Sequence, residues 1–487
     1  MTRRPLIPVA AAASVLIGLL LPAGPATAAP TGCDPVQTAP ELRPDVPTAT
    51  EVLGFPLGER DVTTAESDAY LRAVDAASPR VAGGTLAVSH QGRPLRYAVV
   101  GRPHNVTPLG LARISAAAAA LRNPRTPPAV ARLLAATTPA ILWVAGNVHG
   151  NEESGTDAAL RVLYELAARE DCAADRILDN AIVVLLPTQN PDGREADTRR
   201  NAYGFDMNRD WFARTQPETD GKLEMLRRLP PVLFIDAHEM GRQTYFFPPN
   251  ADPIYHEITD ESVSWINDLY GGALIAEFTR QGIPFFNRDV YDLFYMGYGD
   301  TVPSTGFIAA GMTFEKANGD PTPRRVSEQY LTQWVSLSAA SARKRELLTA
   351  WHGAYAEAYR QGQAGFLEPN EIVNPGNELV TQVPDRAVRH YFLRADDPAK
   401  ADEVRALVRR LQRMDVQVSR LVRPLRVPDY TPYHRASRTT VLPAGTYWVP
   451  MAQAQKHWVQ AMLNEDTYTP FPYFYDVTGW SNPLLFN

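Results

Sequence analysis

At 487 residues with 45% hydrophobic content, the chain is long enough for two or three domains with sizeable cores. A formal net charge of −6, with no basic run beyond the first few residues, argues against nucleic acid as a partner.

The N-terminus joins a basic start, Thr2-Arg3-Arg4, to apolar Leu6 to Leu21 and a small-x-small stretch, Ala26-Thr27-Ala28. This predicts a signal peptide over residues 1–28, a secreted protein, and no stable membrane anchor after cleavage. No later stretch is apolar enough to span a bilayer. In an oxidising compartment Cys33 and Cys172 are expected to pair. Residues 29–65, rich in Pro, Thr and Ala, read as an extended arm. Ala65 to Ala77 predicts a helix. Gly84 to Val100 alternates as two strands around His90-Gln91-Gly92. Leu109 to Leu134 is alanine-rich, broken near Pro124, and predicts a helical surface insertion.

Ile141 to Ala145 is short and apolar, as a buried strand requires. The chain then turns polar at Asn147, His149, Asn151 and Glu152. Past Gly155, the residues Ala159, Leu163, Leu166 and Ala167 fall on one helical stripe. Three more apolar runs repeat the pattern. Ile182 to Leu186 precedes Gln189-Asn190-Pro191-Asp192-Gly193. Val232 to Ile235 precedes Asp236-Ala237-His238-Glu239, and Met312 to Phe314 precedes Glu315-Lys316. Four buried strands, each ending in a polar cluster, predict clusters that converge at one edge of a mixed, largely parallel sheet. Arg325 to Gly362 reads as one long helix, interrupted by little but Gly353. Gly365 to Pro384 reads as a linker. Beyond it Tyr391 to Leu393, the stripe Val404, Leu407, Val408 and Leu411, and Val416 to Val422 give a small βαβ-like pattern. The aromatics Tyr447, Trp448, Tyr473, Phe474, Tyr475 and Trp480 form its core or its interface with the first domain. The domain expectation is therefore a catalytic unit over 66–362, a linker over 363–384 and an α/β accessory unit over 385–487.

Catalytic zinc takes three protein ligands and keeps a fourth position open. His149, Glu152 and His238 supply such a set from different strand ends. A hydrolase also needs a base near the metal and cationic donors for a developing oxyanion. Glu315 ends a further strand. Arg199, Arg200, Asn201, Asp206, Asn208 and Arg209 offer polar groups in one loop. Glu239 reads as a loop charge. His90, His104, His256, His352, His390, His434 and His457 have no matching partner and read as structural or exposed.

HGNE at 149–152, NPDG at 190–193, RRNAYGFDMNRDW at 199–211, FIDAH at 234–238 and TFEK at 313–316 occur in the order of a known family. With them the chain resembles the carboxypeptidase A-like zinc metallocarboxypeptidases, as a secreted bacterial-type member with an extra C-terminal domain. The resemblance implies an α/β/α sandwich around a mixed, largely parallel eight-stranded sheet, with a second smaller α/β domain. It implies one zinc ion held by His149, Glu152 and His238, and Glu315 as the general base. It assigns Arg199 to the oxyanion, Asn208 and Arg209 to the substrate carboxylate, and Asp206 to the back of His149. By the spacing in FYMGYGDTVPSTG, the tyrosine over the cleaved residue is Tyr295, with Tyr298 as the alternative. One departure is Asn151, which stands where the classical digestive members carry arginine. The implied activity is removal of C-terminal residues from peptides. The alternatives are the same site acting on N-acyl amino acids or cell-wall peptides, and a non-catalytic binding protein.

Overall fold

The computed structural model describes residues 36 and 40–487, except 242–243, 251–253, 289–293, 295–298, 300, 369–370, 375–378, 383–387, 465–481, 483–485 and 487. The expected signal peptide, Cys33, Tyr295, Tyr473, Phe474, Tyr475 and Trp480 lie outside the described residues. Among the described residues, no helix is long and apolar enough to cross a membrane.

Eight strands build the main sheet. In chain order they are β1 (Val81–Val88), β2 (Pro94–Val100), β3 (Ala140–Gly146), β4 (Ala181–Leu186), β5 (Leu233–Met240), β6 (Tyr245–Phe246), β7 (Phe285–Phe286) and β8 (Ala310–Ala317). Their spatial order is β1-β2-β4-β3-β5-β8-β6-β7. The central pairs β4–β3, β3–β5 and β5–β8 are parallel. The β1–β2 hairpin joins β4 antiparallel, and β6 closes antiparallel on β8. The expected mixed eight-stranded sheet is therefore present. Every residue of β3 and β4 is buried. That is why these strands read as unbroken apolar runs and not as alternation.

Helices surround the sheet. Ser154–Ala168 buries its apolar stripe and packs against Thr64–Ala77 and Thr322–Ala342. Thr64–Ala77 begins with a capping box, in which Thr63 and Glu66 satisfy each other's backbone donors. The alanine-rich insertion forms two helices, Pro108–Arg122 and Pro128–Thr137, each opening on a proline where the missing N–H costs nothing.

Several expectations need correction. The arm contains a one-turn helix, Ala49–Leu53, with its own capping box at Thr48 and Glu51. The long helix is two, Thr322–Ala342 and Lys344–Ala364, broken at Arg343 and not at Gly353. No proline or glycine marks that break. β5 and β8 continue through the polar residues that seemed to follow them. Alternation explains this, since polar side chains on one face of a strand do not end the ladder.

The C-terminal region has smaller sheets. A hairpin, Glu371–Asn374 with Leu379–Gln382, occupies part of the expected linker. Tyr447–Pro450 pairs antiparallel with both His390–Leu393 and Ser419–Arg420. Those two outer strands therefore run the same way, with the helix Ala401–Gln412 between them in the chain. The βαβ-like pattern is a split βαβ unit with a later strand inserted. The strand expected over Val416 to Val422 shrinks to two residues.

One buried carboxylate fastens this region to the main sheet's surroundings. Glu257 accepts from Lys456 Nζ at 2.7 and 3.0 Å, from His457 Nδ1 at 2.6 Å and lies 3.2 Å from His256 Nδ1. Lys456 also donates to Gln361 on the helix Lys344–Ala364 at 2.9 Å. All of Glu257, Lys456, His457 and His256 are buried.

Candidate metal centre

The loop after β3 carries the first two ligand candidates, and Asn147 shapes it. Asn147 adopts a left-handed backbone (φ 57°), which its short amide side chain tolerates better than most. Its Nδ2 donates to the carbonyls of His149, Gly150 and Glu152 at 2.9, 3.0 and 3.0 Å. The NPDG loop packs directly on this turn. A Cβ on Gly150 would fall 2.0 Å from the carbonyl carbon of Gly193, so only glycine fits there. Asn190 caps its own turn through Gly193 N and reaches the carbonyl of Val148. Asp192 is buried and clamps the β1–β2 turn through Ser89, Gln91 and Arg93. Both motifs thus have a local folding cause.

His238 arrives on β5, next to β3. The structure brings His149, Glu152 and His238 together, with one donor atom from each lying within 4.8 Å of the others. His149 Nδ1 is 2.6 Å from Glu152 Oε1, and His238 Nδ1 is 2.8 Å from Glu152 Oε2. The two Nδ1 atoms are 3.2 Å apart. Each ring turns its Nε2 away toward a carboxylate: Asp206 for His149 at 3.3 Å, Asp236 for His238 at 3.2 Å. Such backing carboxylates fix which nitrogen a ligand histidine presents.

The electrostatics follow from burial and charge. Burial disfavours the ionised Glu152, but His149 and His238 outweigh it and hold the carboxyl well below the usual carboxylate range. Burial likewise disfavours a charged His238 ring, yet Asp236 and Glu152 hold its pKa well above the ordinary value. Asp206, despite desolvation, is held low by His149 and then by Arg199 and Arg209. Three buried donors whose mutual fields call for positive charge match what a divalent cation supplies. Two imidazole nitrogens and a carboxylate are borderline donors suited to zinc.

The other residues expected at the site are placed as follows. Arg199 is half-exposed, with Nη1 3.2 Å from His149 Nδ1 and Nε donating to Asp206 at 2.9 Å. Asn208 is buried, with Nδ2 3.5 Å from His238 Nε2 and Oδ1 accepting from Trp211 at 3.1 Å. Arg209 follows on the same turn and donates to the Asn208 carbonyl at 3.2 Å. Glu315 is buried on β8, where it stands directly opposite His238 in the parallel ladder. Glu239 is no loop charge. It is a buried strand residue that takes Arg325 Nη1 at 2.7 Å and the backbone N–H of Ser154 at 2.9 Å.

Sequence reading gave no role to several residues that the fold brings to the cluster. Asp236 precedes His238 by two positions, which on a strand means the same face. That signal was available once β5 was extended through His238. Gln189 reaches Asp236 and Lys222 reaches Gln189, each from another element, and Gln329 donates to the backbone carbonyl of His238 at 2.8 Å. Nothing local in the sequence marks these three.

Residues 67–271 match the family model for zinc carboxypeptidases, Peptidase_M14. Carboxypeptidase 2 of Trichophyton tonsurans is 37% identical over 116 residues, covering 23% of this chain and 21% of that protein. Carboxypeptidase SOL1 of Arabidopsis thaliana is 29% identical over 155 residues, covering 30% of this chain and 25% of that protein. The chain thus spans between a fifth and a quarter of the length of these relatives. Among solved structures, a metallo-carboxypeptidase from Burkholderia cenocepacia aligns with a TM-score of 0.41 and 17% identity over 56% of this chain and 67% of that one. Over residues 67–271 the chain is thus similar to zinc carboxypeptidases, and His149, Glu152 and His238 all lie within the matched residues.

Proposed function

We propose that this chain is a secreted zinc-dependent exopeptidase that hydrolyses the C-terminal peptide bond of peptide substrates. The convergence of His149, Glu152 and His238, with Glu315 across the ladder from His238, carries the reading. His149, Glu152 and His238 are the residues that would hold one zinc ion. Zinc bound there supplies Lewis acidity toward a carbonyl and lowers the pKa of water.

The remaining work falls to the chain itself. Glu315 takes the proton of the attacking water and returns it to the leaving amine. Arg199 offers its guanidinium to the developing oxyanion, and its tether to Asp206 limits its swing. Arg209, with Asn208, receives the free carboxylate of the substrate, a task suited to a planar fork of donors. Asp206 and Asp236 keep the two imidazoles turned Nδ1 inward.

The test is incubation of the purified full chain with a peptide library, with and without a chelator. Mass spectrometry is expected to show shortening from the C-terminus that the chelator stops. Shortening from the other end, internal cleavage, or release only from N-acyl amino acids would each reject the exopeptidase reading.

A further inference from the structure

Behind His238 and Asp236 lie two buried polar side chains, Lys222 and Gln189, that the proposed chemistry does not use. Lys222 is buried and donates from Nζ to Gln189 Oε1 at 2.8 Å. Gln189 is buried too, and its Nε2 donates to Asp236 Oδ1 at 2.8 Å. Asp236 has no exposed surface and places Oδ2 3.2 Å from His238 Nε2. A second arm starts from the same lysine. Its ammonium sits 3.7 Å from the centroid of the Trp211 ring, and Trp211 Nε1 donates to Asn208 Oδ1 at 3.1 Å.

We propose that Lys222 and Gln189 are positioning residues that fix the orientation and tautomer of His238 through Asp236. The inference rests on the reading of His238 as a zinc ligand.

Polarity makes the chain of contacts directional. An ammonium only donates, so Gln189 must turn its carbonyl oxygen to Lys222. Its amide hydrogens are then left for Asp236. A flipped amide would set donor against donor and carbonyl against carboxylate. Asp236 as an acceptor requires the proton of His238 on Nε2. The lone pair of Nδ1 is thereby aimed at the cluster with Glu152 and His149. Asn208 cannot take that proton, and its contact with Nε2 is longer than the 3.2 Å to the Asp236 carboxylate. Trp211 only donates, so Asn208 must offer it Oδ1 and face His238 with Nδ2, a donor at 3.5 Å. Lys222 also offsets the buried charge of Asp236 from two contacts away. A methionine at 222 would fill a similar volume without ammonium or direction.

The experiment measures zinc affinity of the full chain by chelator competition, the visible spectrum of the cobalt-substituted protein, and thermal stability of the metal-free form. Wild type is expected to bind one zinc per chain. Lys222→Met and Gln189→Met should each weaken zinc binding about 10–100-fold and shift the cobalt spectrum in the same sense. The double variant should be no weaker than the worse single, because both act through Asp236. If Lys222→Met fails to fold, Gln189→Met carries the same test. Variants that lose stability while keeping wild-type zinc affinity and cobalt spectrum would overturn the inference and leave a purely structural network. Wild type that takes up no zinc would overturn the metal reading, and this inference with it.

Discussion

Glu152 and Glu257 both sit buried among histidines, and they differ in where the balancing positive charge comes from. Glu257 faces His256 and His457 and has a buried ammonium, Lys456 Nζ, at 2.7 Å. Glu152 faces His149 and His238, and its nearest fixed cation is the half-exposed Arg199 at 3.6 Å. Both carboxyls are held below the ordinary range against the pull of desolvation, Glu152 by its histidines and Glu257 chiefly by Lys456. Burying a carboxylate is costly unless a partner compensates it. Where the chain supplies that partner itself, the cluster is a rivet. Where it supplies converging donors instead, the cluster has the donor set that the proposed cation requires. Counting His and Glu residues would not have separated the two.

The sharpest way to break this comparison is to remove ligands from one cluster and read both zinc and stability. His238→Ala and His149→Ala should drop zinc from one equivalent to near none and abolish turnover. The protein should still fold, since the buried strands β3 and β4 and the Glu257 cluster contain neither residue. Glu315→Gln should keep its zinc while turnover falls by about 10²–10⁴. A full equivalent of zinc in both histidine variants would erase the distinction drawn here.

The second cluster should respond in the opposite way. Lys456→Met leaves Glu257 buried without its ammonium, and Glu257→Gln leaves Lys456 buried without its carboxylate. Each should cost about 3–5 kcal/mol in denaturant unfolding, the usual penalty for halving a buried ion pair. Zinc stoichiometry should not move in whatever fraction stays folded. A Lys456→Met protein of wild-type stability would show that the ammonium is incidental.

How much of this was legible beforehand follows from the kind of signal each part leaves. The central strands and the grouping of His149, Glu152 and His238 were legible because both leave a local signal, an apolar run followed by a polar cluster. The cluster's support was not. Lys222 lies on an amphipathic helix, Gln189 before a turn, and Gln329 inside a long helix, and each looks unremarkable in place. Their meaning comes from tertiary contact. The same holds for Glu257 and Lys456, which are 199 residues apart. The helix break at Arg343 and the one-turn helix in the arm were missed because neither carries a proline or glycine signal. Tyr295 lies outside the described residues and stays an expectation.

A pH titration separates the contribution of Glu257 from that of the zinc site. The ordinary value for its carboxyl is 4.5, and the folded protein holds it well below that. An acid depressed on folding lends stability above its unfolded pKa, and loses it as the pH falls toward the folded one. Wild-type unfolding free energy should therefore decline from about pH 5 downward more steeply than that of Glu257→Gln. Both are to be measured without metal, so that Glu152 contributes equally to the two curves. Parallel curves would mean that Glu257 is not ionised in the fold.

The smallest effect tests whether β5 is held at His238 by its backbone as well as by the imidazole. Gln329 is buried; its Nε2 donates to the His238 carbonyl at 2.8 Å and its Oε1 accepts from Tyr245 at 2.7 Å. Gln329→Leu removes both contacts at nearly constant volume. Tyr245 keeps Thr332 at 2.7 Å as an alternative partner, so the main loss is at the carbonyl. A buried acceptor stripped of its donor costs about 1–3 kcal/mol. That loss should appear in thermal unfolding of the metal-free protein. Zinc affinity should fall less than in the Lys222 and Gln189 variants, because the imidazole itself is not released. Were Gln329→Leu to weaken zinc as much as Lys222→Met, the backbone of β5 and not the Asp236 contact would be what aims His238.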